Sequence, residues 1–218
     1  MSSARSRLLH QIYTTLRQAY GPQGWWPADT PFEVIVGAIL TQNTAWKNVR
    51  RAMDNLKAAG LLQLQALLQA DEDQVRQCVR PSGYYNQKTR RLRTFCRHVA
   101  QRWQGDLEAF LTQDMEGLRR ELLSLNGIGP ETADSIVLYA AHQPSFVVDT
   151  YTHRVFSRHG WVPEEVSYEE LRNYFMDALE PDVYLFKEFH ALVVRVGHEH
   201  CGRKPSCPGC PLEPLREE

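Results

Sequence analysis

The stretch from residue 122 to residue 149 constrains the fold of this chain more than any other part. An apolar segment leads into Asn126-Gly127-Ile128-Gly129, and Pro130 follows at once. Two glycines allow a tight turn, and proline suits the first turn of a helix because its missing N–H would have no partner there. The pattern predicts two helices joined by a short turn. The N–H groups at the start of the second helix would point outward, as a phosphate oxygen requires.

Helical spacing of apolar residues recurs along the rest of the chain. Ser167 with Glu170 forms a capping-box signature, which predicts another helix start. No stretch alternates apolar and polar residues as a half-buried strand would, so we expect an all-α fold. With 218 residues, the chain is long enough for one sizeable domain or two small ones. The expected helices lie near residues 31–40, 44–58, 61–68, 75–79, 86–103, 118–125, 133–140, 171–179 and 185–196.

Composition excludes several classes of protein. Hydrophobic residues make up 43% and charged residues 23%, as in a globular protein that dissolves in water. No apolar run approaches ~20 residues, which argues against a transmembrane helix. The apolar residues near the amino terminus fall on one helix face and do not form a signal-peptide core. We therefore expect a cytoplasmic protein.

The basic residues are unevenly distributed, although the net charge is only −1. The segment from Gln74 to Gly105 contains no acidic residue. One interpretation is an ordinary solvated helix face. The favoured one is a surface for a phosphate backbone, because charges of one sign repel each other unless a polyanion neutralises them. The basic residues of this segment are Arg76, Arg80, Lys88, Arg90, Arg91, Arg93, Arg97 and Arg102.

The predicted helix pair has an aspartate downstream, Asp149, which follows the short apolar run Phe146-Val147-Val148. This arrangement resembles the helix-hairpin-helix of the endonuclease III superfamily of DNA base-excision glycosylases. The resemblance implies two helical domains flanking a DNA-binding cleft. One would be a six-helix domain at residues 32–143 that carries the hairpin. The other would join residues 1–31 to 144–218 and carry the aspartate and a cysteine-rich tail.

Asp149 is the catalytic residue that the resemblance implies. A plain alternative is a helix N-cap, whose side-chain oxygen accepts backbone N–H groups, and both roles are compatible. A carboxylate facing a cleft would stabilise the positive charge that develops on deoxyribose as the base leaves, and it would help to activate water.

Glu131 separates two classes within the superfamily. Members that also cleave the DNA strand carry a lysine at this hairpin position, whereas this chain has Pro130-Glu131-Thr132. A carboxylate cannot form a Schiff base, so we expect a glycosylase that leaves the abasic site intact. Lys88 and Lys187 remain as alternative amines.

The resemblance also implies a set of DNA contacts. Gln42 would enter the gap left by a flipped base, and Tyr84 would act as a second wedge against the opposite strand. Filling that gap offsets part of the unstacking cost. The alternatives are a polar loop residue for Gln42 and a core anchor for Tyr84. The remaining predicted DNA-contacting residues are Lys88, Gly127, Ile128, Gly129, Glu131 and Thr132.

Three tryptophans predict a base pocket. The segments around Trp25-Trp26-Pro27 and Trp46 resemble the 3-methyladenine DNA glycosylase branch, where two aromatic rings sandwich the extruded base. The rings implied here are Trp25 and Trp46, with Trp26 beside them. Purines alkylated at N3 or N7 are cationic, and indole faces attract cations by ~0.5–2 kcal/mol. The alternative for each tryptophan is ordinary packing.

Three cysteines near the carboxyl terminus, Cys201, Cys207 and Cys210, have the spacing C-x5-C-x2-C. The superfamily often has a [4Fe–4S] cluster here, with four cysteines. The place of the fourth is Arg216, so a cluster would need an unusual ligand. The alternatives are a zinc site that adds His198 or His200 and a tail without metal.

Together these features predict a monofunctional DNA glycosylase of base excision repair that hydrolyses the N-glycosidic bond of an alkylated purine, above all 3-methyladenine. One alternative is an endonuclease III-like glycosylase for oxidised pyrimidines or mismatches. Another is a module that binds damaged DNA without chemistry. The expected partner is double-stranded DNA with a damaged base, bound by a monomer near the nucleoid and away from membranes.

Overall fold

The computed structural model describes residues 3–216, which form two compact units. The continuous unit is Ala28–Gln143, and the terminal unit joins the described residues up to Pro27 to those from Pro144 onward. The sequence predicts the first boundary after residue 31 instead. Ala28, Asp29 and Thr30 lie in the continuous unit, where Asp29 pairs with Lys57 at 2.7 Å and the Thr30 side chain caps the helix that follows.

Every regular element of the continuous unit is a helix or a helical turn. A 3-10 turn at Arg80–Ser82 precedes α6, and a π-helical turn at Ile136–Ala140 extends α9. Its helices are α2 (Pro31–Thr41), α3 (Trp46–Ala58), α4 (Leu64–Gln69), α5 (Glu72–Val79), α6 (Tyr85–Arg102), α7 (Leu107–Leu111), α8 (Met115–Leu123) and α9 (Pro130–Ser135).

Helix α2 forms the centre of this unit. Every residue from Val34 to Leu40 is buried. A helix that is apolar on all sides has to be covered on all sides, and α2 packs against α3, α6 and the π-helical turn after α9. The predicted buried helix at 31–40 is confirmed.

Helices α8 and α9 form the predicted helix pair. The Arg119 guanidinium of α8 donates to both carboxylate oxygens of Asp134 in α9, at 2.9 and 3.1 Å. Asp134 is fully buried and Arg119 nearly so. A bidentate pair of this kind fixes geometry as well as supplying energy, so the two helices hold a defined angle around the turn between them.

The terminal unit contains α1 and the three helices that follow Pro144. Phe146 is buried and stacks on Phe175, with ring centroids 3.9 Å apart. The capping box predicted at Ser167 and Glu170 is confirmed. A 3-10 turn at Glu213–Leu215 comes last. The helices are α1 (Ala4–Tyr20), α10 (Thr150–Arg158), α11 (Tyr168–Met176) and α12 (Val183–Glu199).

The prediction of an all-α fold is confirmed, since residues 3–216 include no β-strand. Over the same residues, every helix falls short of the length and apolar character needed to cross a membrane.

Candidate functional site

The turn between α8 and α9 presents two backbone donors. Gly127 has φ +91°, a conformation that favours glycine. The N–H groups of Gly127 and Gly129 donate to no acceptor within residues 3–216, whereas the N–H of Ile128 donates to the carbonyl of Leu125 at 3.0 Å. The Ile128 side chain is buried. Ile128 therefore anchors the turn through its N–H, and the DNA contact of Gly127, Ile128 and Gly129 stays a prediction.

Gln42 lies directly after α2 and is bonded to the hairpin. Its Nε2 donates to the carbonyl oxygen of Gly127 and to the hydroxyl of Thr132, both at 2.9 Å. Its Oε1 accepts a hydrogen bond from Arg91 of α6. Thr132 is buried, so its side chain supports the hairpin from inside and does not provide the predicted DNA contact. The predicted insertion of Gln42 into a duplex stays a prediction, and it would require these bonds to break.

Lys88 is fully buried, which contradicts the predicted contact with DNA. Its ammonium donates to the carbonyl of Leu40, in the last turn of α2, at 2.8 Å and to that of Ser82 at 2.6 Å. Burial, with the Arg91 guanidinium nearby, lowers the pKa of Lys88 to about 8. Lys88 therefore ties the end of α2, which leads to Gln42, to the turn that carries Tyr84.

Tyr84 is an exposed aromatic residue at the turn before α6. Its side chain is 63% exposed, which excludes the alternative of a core anchor. Its backbone lies in the left-handed region at φ +46°, directly before α6. The Tyr84 carbonyl accepts the N–H of Gln87 and of Lys88, both at 3.0 Å. The first turn of α6 thus fixes the backbone of an exposed aromatic ring.

The basic segment is less uniform than its sequence suggests. Arg76 pairs with Glu72 at 3.0 Å and with Asp73, both on its own helix. Arg102 lies 3.1 Å from a carboxylate oxygen of Glu121. The prediction of unneutralised charge is wrong at these two positions. Arg90 and Arg97 are exposed, and their spacing of two turns puts them on the same face of α6.

The three tryptophans predicted to form a base pocket are each half-buried. Trp46 is the first residue of α3 in the continuous unit. Trp25 and Trp26 lie between the end of α1 and Pro27, in the terminal unit. Their ring centroids are 5.5 Å apart, and the ring planes make an angle of 47°. None of the three is fully buried. Each tryptophan therefore packs in part against the protein and is in part accessible.

Asp149 is the N-cap of α10. Its Oδ1 accepts the N–H of Thr152 at 2.7 Å and the hydroxyl of Thr152 at 2.9 Å. The side chain of Asp149 is 14% exposed, and the residues before it, Val147 and Val148, are buried. The predicted cap is thus present, and it engages only one of the two carboxylate oxygens.

The other oxygen of Asp149 faces α12. Oδ2 lies 3.9 Å from Nε2 of His190, which is buried. Burial lowers the pKa of His190, and the Asp149 charge opposes that effect in part. A carboxylate oxygen that is outside the cap can stabilise positive charge that develops near it.

The cysteine tail is organised by arginines of α10. Arg158 donates to Sγ of Cys201 at 3.4 Å and to the carbonyl of Gly202 at 2.7 Å. Across residues 3–216, no three or more His, Cys, Asp or Glu side chains are grouped so that they would hold a metal ion. An iron–sulfur cluster with an unusual fourth ligand, a zinc site with His198 or His200, and a metal-free tail at Cys201, Cys207 and Cys210 all stay predictions.

Sequence reasoning missed Arg91 as a partner of Gln42, and it missed Thr152, Glu188 and His190. Glu188 accepts two N–H groups of the segment before Trp25. Only Thr152 had a local signal, because it is the third residue after an N-cap. Glu188 and His190 lie far along the chain from their partners, and no sequence pattern joins them.

Comparison with known proteins identifies relatives of this chain. A candidate DNA repair glycosylase of Methanocaldococcus jannaschii is 45% identical over 215 residues, which cover 98% of this chain and 97% of that protein. The crystal structure of the H. pylori 3-methyladenine DNA glycosylase MagIII, bound to 1,N6-ethenoadenine, matches with a TM-score of 0.77 at 29% identity and covers 89% of this chain and 97% of its own.

A trapped covalent complex of endonuclease III with DNA shares the fold, with a TM-score of 0.82 at 22% identity over 99% of this chain and 96% of its own. The family model described as HhH-GPD superfamily base excision DNA repair protein matches residues 36–181. This span begins within α2 and includes the hairpin and Asp149. The chain belongs to the HhH-GPD superfamily of base excision DNA repair proteins.

Proposed function

We propose that this protein is a monofunctional DNA glycosylase that hydrolyses the N-glycosidic bond of an alkylated purine, with 3-methyladenine as the first candidate. The observation that carries the proposal is the arrangement at Asp149. Thr152 fixes Oδ1 with two donors, and Oδ2 lies outside the cap beside the buried His190. A carboxylate held in one orientation is ready to stabilise charge without reorganising.

Asp149 acts on the sugar in this proposal. As the bond between C1′ and the base nitrogen breaks, its electron pair leaves with the base and positive charge develops on the deoxyribose. The carboxylate stabilises that charge and accepts a proton from the attacking water. An N3- or N7-alkylated purine is already cationic and leaves as a neutral base, so the reaction needs no general acid.

The tryptophans favour a cationic base. Trp25, Trp26 and Trp46 each keep part of their ring accessible, and an indole face attracts a cation. The relative that supports this choice is the H. pylori enzyme, which is named as a 3-methyladenine DNA glycosylase. The likeness to endonuclease III is one of fold.

The absence of strand cleavage is part of the proposal. Glu131, exposed in the hairpin, has no amine, and the amine of Lys88 is buried against two carbonyls. Lys187 is the amine to test, because burial lowers its pKa and a Schiff-base lysine has to be neutral to attack.

The test uses duplex DNA treated with dimethyl sulfate. Purified protein should release 3-methyladenine, measured by chromatography, and leave abasic sites that break only after alkali. Borohydride should trap no covalent complex. A trapped complex that disappears in Lys187→Met would overturn the monofunctional part of the proposal.

Two other outcomes would favour other functions. Release of an oxidised pyrimidine or a mismatched base, with methylated purines untouched, would point to endonuclease III-like specificity. Tight binding to damaged duplexes without release of any base would indicate a binding module. We further propose that the enzyme acts as a monomer on nucleoid DNA.

A further inference from the structure

The segment that carries Trp25 and Trp26 is bound to α12 by a buried carboxylate. Glu188 of α12 accepts the N–H of Gln23 through Oε2 and the N–H of Gly24 through Oε1, both at 2.8 Å. Glu188 is only 3% exposed. Each carboxylate oxygen therefore binds one of two consecutive backbone donors, and the second donor is one residue before Trp25.

Other contacts in the terminal unit reinforce this attachment. The Gln23 side chain donates to the carbonyls of Tyr20 and Gly21, at 3.3 and 3.0 Å. Arg195, two turns along α12 from Glu188, donates to the Tyr20 carbonyl at 3.3 Å and lies over the Tyr20 ring. The backbone from the end of α1 to Gly24 is thus held at both of its ends.

Gly24 sets the direction in which the chain leaves this anchor. Its φ of +59° is a left-handed conformation that glycine adopts without strain. Since the anchored N–H belongs to Gly24 itself, the next residue has little freedom in where its Cα lies. The position of the Trp25 backbone therefore depends on the carboxylate of Glu188.

A buried carboxylate is a costly way to hold a loop. Removing its charge from water carries a penalty that apolar packing would avoid. Two charge-assisted hydrogen bonds offset that penalty and fix geometry in a way that apolar contacts do not. The arrangement is suited to positioning more than to stability.

We propose that Glu188 is a positioning residue for the base pocket, which orients Trp25 by binding the Gln23 and Gly24 amides and so sets the affinity for the extruded base. This inference rests on the proposed function, in which Trp25 stacks on an alkylated purine. Glu188 touches neither base nor sugar and acts through the tryptophan.

The test variant is Glu188→Gln, which keeps the size but replaces one acceptor oxygen with an NH2 donor. One of the two amides then faces a donor and loses its bond. Glu180→Gln is the matched control, because Glu180 is exposed in the segment before α12. Hydrogen exchange should accelerate at least tenfold at Gln23 or Gly24 in Glu188→Gln, and remain at the parent rate in the control.

The second readout separates positioning from general damage. One duplex carries 7-methyl-2′-fluoroarabinoguanine, a stable cationic purine, and another carries a tetrahydrofuran abasic site with no base to stack. Glu188→Gln should weaken binding to the first duplex by about fivefold and leave binding to the second within about twofold. Equal weakening on both duplexes would overturn the proposal, as would no weakening on either.

The two proposals fail in different ways. A parent protein that releases no methylated purine contradicts the proposed function. Hydrogen exchange at the Gln23 and Gly24 amides still tests whether Glu188 binds them. If Glu188→Gln does not fold, hydrogen exchange in the parent protein tests the bonds between Glu188 and the two amides. Amides of Gln23 and Gly24 that exchange as fast as an unstructured peptide would rule out the anchor, and slow exchange would support it.

Discussion

Thr152 donates both its N–H and its hydroxyl to the same carboxylate oxygen of Asp149, at 2.7 and 2.9 Å. Thr152 is fully buried, so these bonds are shielded from water. The helix start that Asp149 caps is therefore also the device that orients its carboxylate. Structure and proposed chemistry depend on the same pair of residues.

Thr152→Val should reveal the contribution of the hydroxyl. Valine keeps the shape and the backbone N–H but removes one donor, so we expect unfolding free energy to fall by ~1 kcal/mol and base release to slow about fivefold. Urea unfolding and single-turnover release measure the two effects. Thr152→Ser, which restores a hydroxyl, should recover most of the rate. A valine variant as fast as the parent would show that the hydroxyl does not orient Asp149.

Lys88→Met should destabilise the continuous unit. Methionine fills a similar volume but leaves the carbonyls of Leu40 and Ser82 without their buried donor, at a cost of about 2 kcal/mol in unfolding free energy. Lys57→Met is the control, because the pair that Lys57 makes with Asp29 is exposed and such pairs contribute ~0–1 kcal/mol. Equal urea midpoints for the two variants would contradict the bridging role of Lys88.

Two glycines of the hairpin should respond differently to alanine. A Cβ at Gly127 would lie 2.5 Å from the Arg91 side chain, and the positive φ of this residue would strain an alanine backbone. Gly127→Ala should therefore lower the unfolding free energy by about 1–3 kcal/mol. Nothing lies within 4 Å of a Cβ at Gly129. Gly129→Ala should keep the parent stability but weaken duplex binding at least ~3-fold, because the added methyl group obstructs a phosphate.

Calorimetry and fluorescence anisotropy separate the two effects. Unchanged duplex affinity for a stable Gly129→Ala protein would mean that the turn does not approach the DNA backbone.

Buried histidines should make the protein sensitive to acid. Burial lowers the pKa of both His190 and His159, whereas an unfolded histidine titrates near ~6.5. Just below that pH the unfolded chain binds protons that the native protein does not. Stability is therefore complete above ~6.5 and falls as the pH drops towards the folded pKa values.

His190→Gln should flatten this dependence by up to ~1.4 kcal/mol per pH unit. His10→Gln is the control, because His10 is exposed. Unfolding free energies at pH 7.5, 6.5 and 5.5 decide the question. If unfolding free energy depends on pH in His190→Gln as it does in the parent, His190 binds its proton equally well in the folded and unfolded states, which contradicts a lowered pKa.

Local signals in the sequence account for what was predicted correctly. The Gly127 turn, Pro130 and the Ser167–Glu170 capping box are each defined within a few residues, and each appears where the pattern indicates. The buried helix α2 was predictable because it has no polar face. Asp149 was predictable as a helix cap because its hydrogen-bond partner, Thr152, lies only three residues away.

Tertiary contacts account for what was not predicted. Lys88 sits in a run of arginines, and only the fold shows that its ammonium binds two carbonyls inside the unit. Glu188 lies 165 positions from Gln23. A charge pattern cannot distinguish a solvated side chain from a buried one that bonds to backbone.

Asp149→Asn tests the central claim most directly. Asparagine caps a helix about as well as aspartate, so unfolding free energy should stay within ~0.5 kcal/mol of the parent while the charge is lost. Single-turnover release of 3-methyladenine from methylated duplex should fall at least ~100-fold, with duplex affinity retained. A folded Asp149→Asn protein that releases the base at the parent rate would contradict the account.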